Sequence, residues 1–167
     1  MDIRTAITGI IIILICIIPF VIMRIKRRKR EKQLLKEFFT AAERNNCKIS
    51  QHESWNNSLI GIDETANVIF FTKKLKENDI SLQINIDEIQ KCRVINSNRT
   101  VSNANGNFKV VDKLELAFSF HDKIKGEIII EFYNADYDSL IFSDELQLVE
   151  KWCKIINDAI TIASVPK

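Results

Sequence analysis

A chain of 167 residues with a net charge of +2 has room for one ordinary domain and an appendage. The near-neutral total conceals a division: Arg24–Lys36 carries eight bases against one acid, Glu31, whereas from Glu37 onward 20 acids outnumber 15 bases. So acidic a domain is poorly suited to general nucleic-acid binding, which depends on Lys and Arg neutralising phosphates.

The first element in chain order is apolar. After a short extracytoplasmic tail, residues 1–5, Ala6–Met23 reads AITGIIIILICIIPFVIM, without a charge. Eighteen helical residues at about 1.5 Å each span about 27 Å, close to the roughly 30 Å hydrocarbon core, so residues 6–23 predict a transmembrane helix. A cleaved signal peptide carries its bases before the apolar stretch; here RIKRRKREK follows it. By the positive-inside rule the N-terminus lies outside and everything after Arg24 lies in the cytoplasm. The expected location is the inner (plasma) membrane, crossed once.

Residues 24–46 predict a basic juxtamembrane helix ending near Asn45-Asn46. Its collar, Arg24, Lys26, Arg27, Arg28, Lys29, Arg30, Lys32 and Lys36, suits anionic headgroups, at about 1 kcal/mol for each base close to the surface. Leu34, Leu35, Phe38, Phe39 and Ala42 recur at helical spacing. That stripe can pack on its own domain, lie in the interface or pair with a second copy.

Beyond Cys47 the period becomes two. Ile80, Leu82, Ile84 and Ile86 alternate with polar residues, as do Leu114, Leu116, Phe118 and Phe120, and then Ile128, Ile130 and Phe132. Half-buried antiparallel strands follow from this pattern. Shorter strands are expected over Lys48–Glu53, Ser58–Asp63, Val68–Lys73 and Ile89–Ile95, with turns at residues 63–67, 76–79 and 121–126. Asn96–Asp112, rich in asparagine, reads as an extended connection. The last element is a helix with Ser143 as N-cap, Asp144 and Glu145 in its first turn, and an apolar face of Leu148, Val149, Trp152, Ile155, Ile156, Ala159 and Ala163.

Seven short strands closed by one helix, with Trp152 on its inner face, resemble the pleckstrin-homology-like superfold over residues 47–163. The resemblance implies a PH-like seven-stranded antiparallel barrel or sandwich, residues 47–167, capped by a C-terminal helix; with the transmembrane helix before it, the expected fold class is α+β. WNNSLIGID, EFYNADYD and LQLVEKW also resemble a family of uncharacterised bacterial single-pass membrane proteins, which implies the same layout and supplies no activity. Phosphoinositide-binding members of the superfold carry basic residues around their first hairpin; here that region reads QHESWNNS, without one.

Candidate chemistry is sparse. Asn134, Asp136, Asp138 and Glu145 have the spacing of an EF-hand loop, but Ser139 replaces the required glycine and a strand precedes the loop, so a polar turn is expected. Trp55, Tyr133 and Tyr137, near strand ends, are candidates for a partner surface. The four cysteines, Cys16, Cys47, Cys92 and Cys153, lack the spacing of a zinc site or disulfide framework. With no catalytic motif, cofactor fingerprint or metal box, the expectation is no enzyme, no cofactor and no small-molecule substrate. A single-pass, membrane-anchored cytoplasmic binding module for a protein partner fits best. The alternative is an assembly protein that self-associates through its span and juxtamembrane helix.

Overall fold

The computed structural model describes residues 3–75, 79–103, 106–136, 138 and 144–164, with side chains from residue 17 onward except at 27 and 103. Two compact units are present, Met1–Ala41 and Ala42–Lys167.

The first unit is built on helix α1, Ile3–Arg44, which runs through Pro19 without a break. Gln33 Nε2 donates to Glu37 Oε1 one turn on, at 2.8 Å, and Phe38 meets Phe39 edge-on. The helix ends in a Schellman motif. The Cys47 N–H donates to the Ala42 carbonyl and the Asn46 N–H to that of Glu43, both within 3.0 Å. Asn46 takes the left-handed conformation, φ 55°, that this stop requires.

The expected transmembrane helix requires correction. Among the described residues no helix is long and apolar enough to cross a membrane, so the expected transmembrane helix is not part of the fold described. The described side chains of α1 begin at Ile17 and give only Ile17–Met23 before Arg24 opens the collar. Any eighteen-residue stretch from there takes in the collar's charges; the earlier part of the apolar run, Ala6–Cys16, lies outside the described side chains.

The second unit is α+β. Strands β1 (Gln51–Trp55), β2 (Ser58–Asp63), β3 (Val68–Lys74) and β4 (Asp79–Asn85) form one antiparallel sheet in chain order. A 3₁₀ turn at Ile86–Glu88 leads to β5 (Ile89–Asn103), β6 (Gly106–Phe120) and β7 (Ile128–Asn134), a second antiparallel sheet, and helix α2 follows at Glu145–Ala163.

Local chemistry explains the tight connections. Asn56 and Asn57, at φ 36° and 61°, make the two-residue turn between β1 and β2, the type I′ geometry matched to strand twist. After β2, Asp63 Oδ1 accepts from the N–H groups of Thr65 and Ala66 at 2.8 and 2.9 Å. Its Oδ2 accepts from the Lys48 N–H at 2.5 Å. Burial pushes the Asp63 carboxyl up, but these three N–H donors outweigh burial and hold it below the usual carboxylate range.

The inner faces of both sheets and the inward face of α2 enclose one core. Ile60, Ile62, Ile69 and Phe71 come from the first sheet, Leu116, Phe118, Ile130 and Phe132 from the second, and Val149, Trp152, Ile156 and Ile160 from α2. The helical spacing of the last four is what turns a single face inward. Asp144 occupies the N-cap without a side-chain bond; Ser143, expected there, lies outside the described residues.

Two departures from the expected strands stand out. β5 and β6 continue through Asn96–Asp112, pairing as far as Asn103 with Gly106, where a connection was expected. The pairing of β6 with β7 slips between Leu114 and Glu115, so Phe132 has no cross-strand partner, a β-bulge. On the outer edge of β5, α2 supplies the missing neighbour. Asn157 Oδ1 accepts from the Cys92 N–H at 3.1 Å, and its Nδ2 donates to the Cys92 carbonyl at 2.9 Å.

Candidate functional site

Within the second unit, the β1–β2 turn, the end of β3, the end of β7 and the start of α2 converge. This junction brings together WNNS of the first sheet, EFYNAD of the second and Glu145 of the helix. Its centre is Lys73, 2% exposed, with Nζ 3.0 Å from Glu131 Oε1 and 3.5 Å from Asp138 Oδ2. Glu131 Oε2 in turn accepts from Asn134 Nδ2 at 2.7 Å. A buried ammonium is tolerated only where anionic oxygens replace its water, and this cluster supplies them.

Aromatic and polar contacts close the junction from the first hairpin. Trp55 stacks on Phe132, centroids 4.3 Å apart and planes 17° apart, and its Nε1–H donates to the Phe132 carbonyl at 2.8 Å. Asn56 Nδ2 donates to Glu145 Oε1 at 3.0 Å. Ser58, fully buried, has a hydroxyl without a hydrogen-bond partner among the described residues.

Two of the aromatic candidates for a partner surface pack at the junction. Trp55 is half-buried, and Tyr133, 2% exposed, belongs to the interior. Burial pushes the Tyr133 phenol up, and the Asp138 and Glu145 carboxylates add to this. Tyr137 lies outside the described residues. In the collar, Arg24, Lys26, Arg28, Lys29, Arg30, Lys32 and Lys36 are all exposed along α1; the side chain of Arg27 lies outside the described residues.

Of the residues with calcium-loop spacing, Asn134 and Asp138 are engaged in a turn. Asn134 Oδ1 accepts from the Asp136 N–H at 3.0 Å and Asp138 Oδ2 from the Asn134 N–H at 2.8 Å. Asp138 also faces Lys73, and Glu145 faces Asn56. Among the described residues no cluster of His, Cys, Asp or Glu is placed to hold a metal. Cys92 and Cys153 are neighbours, and burial, followed by the charge of Cys153, pushes the Cys92 thiol up, which disfavours the thiolate.

Sequence reasoning missed Lys73, Asn56 and Ser58. For Lys73 a signal existed: it continues the inward-facing series Ile69 and Phe71 on β3, where a lysine is out of place unless carboxylates meet it.

A shallow groove lies apart from the junction, lined by Gln83, Asn85, Glu88, Phe120 and Lys125. Lys125 Nζ meets Glu88 Oε2 at 2.5 Å and sits 5.8 Å from the Phe120 ring centroid, so the groove's charges answer each other. No family model, no curated protein and no solved structure matches this chain.

Proposed function

We propose that this chain is a membrane-associated, non-catalytic binding module. Its collar meets the anionic inner face of the membrane, and its β-rich unit holds a protein partner on the cytoplasmic side. The observation that carries this reading is the exposure of seven collar bases along one continuous helix. Each such base near an anionic surface contributes about 1 kcal/mol, enough in sum for stable association.

The character of the junction supports a binding role over a catalytic one. Lys73, Glu131, Asn134 and Asp138 are occupied with one another, an arrangement that stabilises the contact between the sheets.

The test is flotation of the full chain with phosphatidylcholine vesicles, with and without phosphatidylserine, beside crosslinking in native membranes read by mass spectrometry. Association that depends on the anionic lipid and weakens when the collar bases become glutamate is expected, together with crosslinks to a foreign protein. A chain that stays with the soluble fraction in cells would overturn the membrane part. Crosslinks solely between copies would replace the partner with self-assembly.

A further inference from the structure

The β5–β6 hairpin extends past the core as a two-stranded arm. Each described side chain from Asn98 to Val110 is exposed. Paired residues of antiparallel strands share a face, so the pairs Val101 with Phe108 and Arg99 with Val110 place four side chains on one side. Three are apolar: Phe108 is 48% exposed, Val101 41% and Val110 41%. The pairs Thr100 with Lys109 and Ser102 with Asn107 form the opposite, polar side. The arm is an amphipathic ribbon whose apolar side faces no core.

Charge distinguishes between occupants for that side. From Asn96 to Lys113 the chain carries three bases, Arg99, Lys109 and Lys113, and one acid, Asp112, in a domain that is otherwise acidic. Asp112 is already engaged, its Oδ1 3.3 Å from Arg99 Nε. With Arg99 answered by Asp112, a second copy of the arm would bring Lys109 and Lys113 to their counterparts with no acid left on the arm to answer them. An anionic bilayer surface offers acyl chains for Phe108, Val101 and Val110 and phosphates for the bases around them, the pairing used by interfacial anchors.

We infer that the β5–β6 arm is a membrane-interface anchor that seats Phe108, Val101 and Val110 in an anionic bilayer surface. This inference rests on the proposed membrane association and adds a contact through the β-rich unit itself. The anchor is independent of the junction around Lys73. The exposed positions of Phe108 and Val110 let them be replaced without disturbing the core.

The test places a reporter in the full chain: Phe108→Trp, in vesicles of phosphatidylcholine and phosphatidylserine, some with bromine on the acyl chains. Trp55 and Trp152 supply a background removed by difference with the unsubstituted chain. Blue-shifted emission, quenching by lipid bromine and protection from acrylamide are expected, each lost on adding Val101→Ser and Val110→Ser. Replacing Lys109 with glutamine is expected to weaken the lipid contact about fivefold, the loss of one surface base. Flotation reports separately on the proposed function. A chain that floats while the indole introduced at position 108 stays water-exposed overturns this inference alone, whereas a chain that does not float overturns the membrane-association reading. A blue shift that grows with protein concentration in the absence of lipid assigns the face to a second copy and overturns the anchor.

Discussion

The indole N–H of Trp55 donates to the main-chain carbonyl of Phe132, the residue that the β6–β7 bulge leaves without a cross-strand partner. A bulge frees backbone groups that must find another partner or be left buried and unsatisfied. Here a side chain from the other sheet supplies one, and the same indole stacks on the Phe132 ring. The contact joins the end of β1 to β7 across 77 residues of sequence.

Separating these two contributions is straightforward. Trp55→Phe retains an aromatic stack but removes the donor and should lower stability by about 1 kcal/mol, whereas Trp55→Ala should cost about 3 kcal/mol. Urea denaturation followed by circular dichroism measures both. Equal losses would show that the hydrogen bond contributes nothing separate.

Lys73 and Glu131 form the pair most sensitive to losing one member. Lys73→Met leaves the Glu131 and Asp138 carboxylates facing a buried apolar group and should destabilise the unit by about 3 kcal/mol. Combining it with Glu131→Leu should recover part of that loss, since the second change removes one orphaned charge. A double-mutant cycle with no coupling would disprove the pairing.

Asp63 predicts a direction for acid sensitivity. Its folded pKa is depressed, so its contribution is fully present above the unfolded value of about 3.9 and is lost as pH falls through the folded value. Stability measured by urea titration should decline below about pH 4, and Asp63→Asn should flatten that decline while being less stable at neutral pH. A variant with the parental pH profile would remove Asp63 from this role.

Ser58 offers the opposite sign. Its hydroxyl is buried without a partner among the described residues, so Ser58→Ala should leave stability unchanged or raise it by up to about 1 kcal/mol. The thermal midpoint of the variant is the readout, and a clear fall would reveal a bond that the geometry does not contain.

Legibility from sequence followed burial. Ile80–Ile86, Leu114–Phe120 and Ile128–Phe132 alternate because one face meets the core, and strands lie at each, though Ile86 itself opens a 3₁₀ turn. Within Asn96–Asp112 the alternation is confined to short runs around Val101 and Phe108–Val110, because neither face is buried from Asn98 to Val110, so its asparagines resembled a turn. The helix stop was visible in Asn45-Asn46, since asparagine tolerates the left-handed conformation, though the Schellman bonds were not. Trp55 and Tyr133 looked available to a partner because sequence shows a strand end but not the second sheet packed against it. The Lys73–Glu131 contact spans 58 residues, and no local pattern encodes a pairing at that distance.

Asn157 completes a strand edge from late in the chain. It lies on α2, the element that follows both sheets, yet it satisfies a backbone N–H and carbonyl on β5, formed 65 residues earlier. If the second sheet forms before α2 leaves the ribosome, that strand edge is open to other polypeptides until the helix arrives. The final helix acts as a late lock, and a chain stopped short of it would expose a template for mispairing.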